Sequence, residues 1–122
     1  MSASHTVLVV DDNEDLGESL VAAMEFAGHR GIAASDGAEA LELLRAGFRP
    51  CLILLDLWMP IMSGWDFRRE QLKDSALAAI PTVVMTAYGG APTLDGVLAW
   101  IPKPIDIDEF EAMLRELCPP GH

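Results

Sequence analysis

Five side chains in this sequence could do chemistry together, because each lies at or just after the end of a short apolar stretch. They are Asp11, Asp12, Asp56, Thr86 and Lys103. Carboxylates at short range repel one another unless a cation joins them. Oxygen ligands favour a hard cation, Mg²⁺ or Mn²⁺, and Mg²⁺ also binds phosphate oxygens readily. With an ammonium and a hydroxyl added, the set suits transfer of a phosphoryl group to a carboxylate.

Apolar stretches alternate with amphipathic ones along the chain, and the ends of the apolar stretches carry these residues. We predict strands over residues 5–10, 31–35, 51–56, 80–87 and 98–102. We predict helices over residues 13–28, 36–47, 64–74 and 106–117, with Asn13 and Asp106 as N-caps. This alternation predicts an α/β domain with a doubly wound, five-stranded parallel sheet. Ligands bind such sheets at the carboxyl ends of the strands, where the five side chains would converge.

Charge is the strongest signal in the composition. The 122 residues carry 19 Asp and Glu against 8 Lys and Arg, a net charge of −11. An acidic surface repels nucleic acid and anionic lipid, so we expect neither as a partner. No apolar run is long enough to span a bilayer, and the amino-terminal residues do not resemble a secretory signal. We therefore expect one domain in the cytoplasm.

The cysteines and histidines give no metal-site spacing. Cys51 and Cys118 lie far apart in the sequence and do not predict a disulfide framework or a zinc site. We expect Cys51 to be a small core residue and Cys118 to be exposed. The three histidines, all expected at the surface, are His5, His29 and His122.

Four stretches together resemble one known family. They read "VLVVDDNEDL", "LLDLWMPIMSGWDF", "PTVVMTAY" and "WIPKP", and they look like the receiver domain of two-component response regulators. The most specific piece is the D-x-x-M-P-x-M-x-G pattern of residues 56–64. The resemblance covers essentially the whole chain. It implies a flavodoxin-like fold and a single receiver domain over residues 1–122, without an output domain.

The resemblance also implies the roles of the acidic residues. Asp56 matches the phosphoacceptor, which takes its phosphoryl group from a histidine. Asp12 matches the direct carboxylate ligand of Mg²⁺, and Asp11 the carboxylate that holds the metal through water. Trp58 matches the position whose backbone carbonyl completes the metal site, so the implied metal set is Asp11, Asp12, Asp56 and Trp58.

The remaining implied roles concern switching. Thr86 matches the hydroxyl that turns toward the phosphoryl oxygen, and Lys103 the lysine that pairs with it. Trp100 falls at the switch aromatic position, where the family usually has a smaller Tyr or Phe. The bond from Lys103 to Pro104 matches the family's cis peptide, an isomer that is inexpensive only before proline.

One departure from the family lies between Thr86 and Lys103, an interval shorter than usual. Residues 88–98 hold three glycines and one proline. These residue types cost about 1 and 3 kcal/mol in a helix interior. We predict that the helix between the fourth and fifth strands is shortened or lost, which puts the family's usual output surface in doubt.

Three functions compete at this point. The first is a signalling switch rather than an enzyme, phosphorylated by a sensor histidine kinase or phosphotransfer protein and read by a downstream protein that the sequence does not name. The second is a degenerate receiver that binds protein without phosphate. The third is a small flavin-binding or hydrolytic enzyme. It is disfavoured because no Ser/Thr/Gly-rich phosphate loop follows the first strand and no G-x-S-x-G is present.

Overall fold

The structure, a computed structural model, describes residues 6–87 and 96–118. The strands are β1 Thr6–Val10, β2 Arg30–Ala34, β3 Leu52–Asp56, β4 Thr82–Thr86 and β5 Ala99–Pro102. The helices are α1 Glu14–Phe26, α2 Gly37–Arg45, α3 Gly64–Leu72, α4 Ser75–Ala78 and α5 Ile107–Leu117. The strands pair in parallel in the order β2-β1-β3-β4-β5. The predicted doubly wound five-stranded sheet is confirmed.

The three central strands are buried along their whole length because helices cover both faces of the sheet. On one face, Leu20 and Met24 of α1 pack with Phe110 and Leu114 of α5. On the other face, side chains of α2, α3 and α4 form a second apolar cluster. Burial on both sides explains why β1 and β3 read as continuous apolar runs rather than alternating ones. This packing also fixes the positions of the carboxyl ends of the three central strands.

Helix caps begin two helices close after the strands that precede them. The Asn13 side chain accepts a hydrogen bond from the Leu16 N–H, and the Asp106 side chain accepts one from the Glu109 N–H, each at 3.1 Å. Both predicted caps are confirmed. The helix predicted over 13–28 ends slightly early, shortly before Gly28, whose φ of 94° is a left-handed conformation that suits glycine.

One helix was not predicted. The helix expected over residues 64–74 ends at Leu72, and the short helix α4 follows it at once. Asp74 begins α4 by accepting a hydrogen bond from the Ala76 N–H at 2.9 Å. A four-residue helix is too short to leave a periodic pattern in the sequence, so only its aspartate cap signals it.

A buried polar network ties α3, α4 and β4 together. The Gln71 amide nitrogen donates to the Leu77 carbonyl at 2.9 Å and lies 3.2 Å from the Thr82 hydroxyl. The Arg68 guanidinium donates to the Gln71 Oε1 at 2.8 Å. These polar groups are buried, so each hydrogen bond satisfies an atom that water cannot reach.

Cys51 packs against the apolar core, but the expectation that Cys118 is exposed is wrong, and the disulfide was not predicted. Cys51 and Cys118 are joined by a disulfide with their Cα atoms 6.2 Å apart, and Cys118 is 2 % exposed. The reason is that α5 runs back to the edge of the sheet where β3 begins. Residues far apart in sequence thus meet at the edge that holds the amino ends of the strands, which we call the amino edge.

His29 also differs from the expectation, since it is buried with 3 % of its surface exposed. It follows α1, at the same amino edge. Its Nε2 lies 2.5 Å from the carbonyl oxygen of Cys118. A histidine at a helix end is covered here because the last turn of α5 packs over it.

The expectation of a shortened or lost helix over 88–98 falls mainly on residues outside the described part of the chain. His5 and His122 lie outside it as well. Among the helices of residues 6–87 and 96–118, none is long and apolar enough to cross a membrane.

We predict that Gln71→Leu destabilises the protein by about 1–3 kcal/mol, because it leaves buried hydrogen-bonding groups of Arg68 and Leu77 without this partner. Urea unfolding would measure the loss. Lys73→Gln is the matched control, since the Lys73 ammonium forms a surface ion pair with Glu70 and its loss should change stability by less than about 0.5 kcal/mol. Equal losses in the two variants would contradict this role for Gln71.

Candidate functional site

Strand register places the first two acidic groups side by side. Val10 of β1 is level with Leu55 of β3. Asp11 and Asp56 come one residue later on neighbouring parallel strands, so they leave the sheet at the same height. Both are buried, with 3 % and 4 % of their surface exposed.

The neighbouring strands add the hydroxyl and the ammonium. Thr86 ends β4 and is level with Pro102 of β5, and the backbone N–H of Lys103 donates to the Thr86 carbonyl at 2.8 Å. The Lys103 ammonium then reaches across the edge of the sheet. It lies 2.6 Å from the Asp11 Oδ2 and 3.5 Å from the Asp56 Oδ1.

Asp11, Asp12 and Asp56 form a cluster of carboxylates that could hold a metal ion. One oxygen from each of the three lies within 4.8 Å of the other two. Asp12 is exposed, so the cluster opens to solvent on one side. Donors that are oxygen atoms only, with room for water, fit a hard divalent cation such as Mg²⁺. The residues present therefore fit the cation that the sequence predicted.

The environment of Asp56 raises its pKa from 3.8 to about 6. Burial is the main cause, because it penalises the charged form, and the negative charge of Asp11 adds to it. The Lys103 ammonium and the Trp58 backbone N–H act in the opposite direction, lowering the pKa. Asp56 is thus mainly ionised at neutral pH, yet it is a more basic carboxylate than one in water.

The loop after β3 requires a glycine where it meets α3. A Cβ at Gly64 would collide with the carbonyl oxygen of Asp56 and lie 2.7 Å from the Leu57 Cα. The backbone of α3 can therefore approach the end of β3 only with glycine at this position. The glycine that ends the D-x-x-M-P-x-M-x-G pattern holds this loop against Asp56.

Trp58 lies two residues after Asp56 and meets its carboxylate through the backbone. Its N–H lies 3.4 Å from the Asp56 Oδ1, and its side chain is 55 % exposed. The indole packs edge-to-face against Trp65, with 4.7 Å between ring centroids. This contact holds the Trp58 ring against Trp65 while leaving much of Trp58 open to solvent.

The other two residues singled out in the sequence lie near or beyond this pocket. Pro104 follows Lys103 through a cis peptide bond. Trp100 lies further back on β5, level with Val84, and is 40 % exposed. The structure thus brings Asp11, Asp12, Asp56 and Lys103 together around one point, with Thr86 at the neighbouring strand end, and leaves Trp100 at the surface.

Sequence reasoning missed one contributor to this pocket. The backbone N–H of Asn13 donates to the Asp11 Oδ1 at 2.9 Å, while the Lys103 ammonium takes the other oxygen. The two contacts orient the buried Asp11 carboxylate. A backbone donor leaves no trace in residue type, so the sequence predicts Asn13 as a helix cap and not as a partner of Asp11.

The family model described as the response regulator receiver domain matches residues 7–115. The chain belongs to the response regulator receiver family. The resemblance found in the four sequence stretches is confirmed over most of the chain. This receiver is therefore a domain of two-component signalling.

Curated relatives of this receiver are response regulators. The chain is 32 % identical over 125 residues to response regulator Rre1 of Synechocystis, covering 96 % of this chain and 53 % of the relative. It is 36 % identical over 116 residues to response regulator MprA of a Mycobacterium strain, covering 91 % of this chain and 49 % of the relative. The receiver spans about half the length of these two relatives.

Solved structures resemble the receiver over nearly its whole length. The signal receiver domain of a histidine kinase from Syntrophus aciditrophicus has a TM-score of 0.83 at 27 % identity, covering 93 % of this chain and 89 % of that one. The chemotaxis protein CheY4 of Vibrio cholerae has a TM-score of 0.79 at 25 % identity, covering 92 % and 97 %. The similarity confirms the receiver fold.

We predict that Asp56→Asn stabilises the metal-free receiver at pH 8 but not at pH 4. The folded-state pKa of about 6 lies above the ordinary 3.8, so the folded state binds the Asp56 proton more tightly than the unfolded state does. This contribution to stability is full below about pH 4 and is lost as the pH rises through 6. Asparagine carries no charge, so the Asp56→Asn variant does not lose stability in this way as the pH rises.

Urea unfolding in a chelating buffer at both pH values would measure the difference. Glu42→Gln, on the exposed side of α2, controls for the removal of one negative charge. A stability difference between Asp56→Asn and the unchanged protein that is equal at pH 4 and pH 8 would refute the raised pKa.

Proposed function

We propose that this receiver is a phosphorylation-driven signalling switch whose phosphoacceptor is Asp56. The observation that carries the proposal is the position of the Asp56 carboxylate. It lies at the rigid end of a central strand, in reach of the Asp11 and Asp12 oxygens and 3.5 Å from the Lys103 ammonium. A raised pKa, the nearby Lys103 ammonium and burial together describe a carboxylate prepared for nucleophilic attack.

The phosphoryl donor that fits the family is a phosphohistidine of a sensor histidine kinase or phosphotransfer protein in the cytoplasm. One Asp56 oxygen attacks the phosphorus atom in line with the P–N bond. That bond breaks, and the imidazole nitrogen leaves with the electron pair. Binding of the donor over the half-exposed Trp58 would reduce the access of water during the transfer.

Asp11, Asp12, Asp56 and the Trp58 carbonyl are the groups we assign to Mg²⁺ or Mn²⁺. When bound, the cation neutralises the negative charge of the carboxylates and the phosphoryl oxygens. Lys103 supplies a second positive charge, and we assign it to a phosphoryl oxygen of the product. The receiver thereby assists its own phosphorylation, and we propose that the same residues assist its dephosphorylation.

We propose that Thr86 and Trp100 pass the change of state to the surface. Thr86 ends β4 beside the acceptor, and Trp100 lies on the adjacent strand β5 with 40 % of its surface exposed. A hydroxyl that turns toward the phosphoryl group would open space behind it on β4. A shift of a few kcal/mol between two arrangements is enough to change which one dominates.

We predict that an acyl phosphate adds one phosphoryl group to this receiver, that the addition needs Mg²⁺, and that Asp56→Asn abolishes it. Asparagine keeps the size of the side chain but lacks the negatively charged carboxylate that attacks the phosphorus atom. Intact-mass spectrometry would detect the addition. Asp108→Asn, the same substitution at an exposed position of α5, is the matched control and should accept phosphate normally.

A fast dephosphorylation could hide the product, so a stable beryllofluoride mimic would be added in parallel and followed by tryptophan fluorescence. If the receiver shows neither added mass nor a fluorescence change, the proposal is wrong. That result would favour the phosphate-independent binding module.

We predict that Thr86→Val accepts phosphate on Asp56 but fails to move Trp100, because valine keeps the shape of threonine and lacks its hydroxyl. Fluorotryptophan NMR, with the Trp100 resonance assigned by Trp100→Phe, would separate this ring from the other two. Thr86→Ser keeps the hydroxyl and should retain the shift. If the Trp100 resonance shifts fully in Thr86→Val, the Thr86 hydroxyl has no role in the switch.

A further inference from the structure

The amino edge of the sheet, opposite the cluster of Asp11, Asp12 and Asp56, holds a disulfide and a buried histidine that phosphoryl transfer does not use. Cys51 lies directly before β3, and its N–H donates to the Thr6 carbonyl at 2.8 Å. Cys118 caps the end of α5, and its N–H donates to the Leu114 carbonyl at 2.8 Å. The two residues are joined by a disulfide, although 67 positions separate them in the sequence.

Backbone hydrogen bonds and apolar packing hold both cysteines independently of the bond between them. Cys118 belongs to the apolar cluster of α1 and α5, and Cys51 packs against the same cluster. A thiol in such a place behaves as a small apolar side chain. The Cα separation of 6.2 Å lies inside the usual disulfide range, so the bond can open and close without a large backbone movement.

The size of the domain argues against a disulfide that folding requires. Small domains of fewer than about 70 residues often need such a bond, whereas this receiver has 122 residues and two buried apolar clusters. In the cytoplasm, where we place this receiver, thiols are kept reduced, and the disulfides found there are mostly transient or redox-sensing. A bond that comes and goes therefore fits the site better than a permanent one.

His29 makes the end of α5 a junction of three elements. Its Nε2 lies 2.5 Å from the Cys118 carbonyl oxygen, which can only accept, so Nε2 carries the proton and donates. The Nδ1 atom is buried and has no hydrogen-bond partner among residues 6–87 and 96–118. Cys118 is thus linked covalently to Cys51, directly before β3, and accepts a hydrogen bond from His29, directly before β2.

We propose that Cys51 and Cys118 are a redox-active pair that opens and closes by thiol–disulfide exchange, and that this exchange releases or fastens the carboxyl end of α5. The bond would fasten the last turn of α5 to the sheet. Once it opens, apolar packing and the His29 hydrogen bond would still hold that turn, but more loosely.

The exchange partner is a low-molecular-weight thiol and its disulfide, such as glutathione. A thiolate attacks the sulfur of Cys51, since this residue is half-buried whereas Cys118 is 2 % exposed. The bond between the two cysteines breaks, and Cys118 leaves as a thiolate that takes up a proton. A second thiolate then attacks the mixed disulfide, which frees Cys51 and forms the oxidised small molecule. Oxidation of the pair is the reverse sequence.

The test equilibrates the receiver in mixtures of reduced and oxidised glutathione, traps free thiols with an alkylating agent and counts them by intact mass. The expected result is a reversible change between no free thiols and two within the accessible range of glutathione ratios. A pair that stays closed in reduced glutathione, or open in oxidised glutathione, would overturn the proposal. Neither Asp56 nor Mg²⁺ takes part, so this outcome is independent of the phosphorylation experiments.

Hydrogen exchange tests the effect on α5. In the reduced receiver, amides of residues 114–118 should exchange roughly tenfold faster than in the oxidised one, while those of β4 should not change. Cys51→Ala cannot form the bond and should exchange at the faster rate in both buffers. If that variant does not fold, Cys51→Ser replaces it, and the comparison of the two states of the unchanged protein remains. Equal rates in those two states would refute the release of α5.

Discussion

Repulsion among carboxylates that cannot move apart is the constraint on which the rest of this receiver depends. Asp11 and Asp56 emerge at one height from adjacent strands that are buried on both faces. Burial raises the pKa of Asp56, and the charge of Asp11 raises it further. Neither strand can tilt away without disturbing two apolar clusters. A positive charge from Lys103 is therefore part of the resting structure, and the fit to a divalent cation follows from the same repulsion.

The packing around this edge of the sheet serves to keep those charges in place. Gly64 lets α3 approach the backbone of Asp56 more closely than any residue with a Cβ could. The Asn13 backbone N–H and the Lys103 ammonium each donate a hydrogen bond to one oxygen of the Asp11 carboxylate. Stability and reactivity are thus in tension at Asp56, because the burial that makes the carboxylate a better nucleophile also makes its ionised form costly.

Helix α5 connects the edge of the sheet that holds the carboxylates with the edge that holds the disulfide. It begins four residues after Lys103, runs for eleven residues, roughly 16 Å, and ends at Leu117, directly before Cys118 beside the start of β3. Its apolar side packs on the same cluster as α1. A change that loosens the carboxyl end of α5 therefore acts on the helix that follows Lys103 in the sequence. The proposed disulfide exchange and the proposed phosphoryl transfer would therefore act near opposite ends of this helix.

The five strands, four of the helices and the residues that end the strands were predictable from the sequence, because runs of apolar residues and cap residues are local signals. Asp56 and Lys103 were recognisable for the same reason, since each directly ends or follows a strand. Contacts away from the carboxyl ends of the strands were not predictable in this way. The disulfide of Cys51 with Cys118, the burial of His29 and the network around Gln71 all depend on how helices pack across the sheet. Such contacts join residues whose separation along the chain carries no periodic signal, so packing had to reveal them.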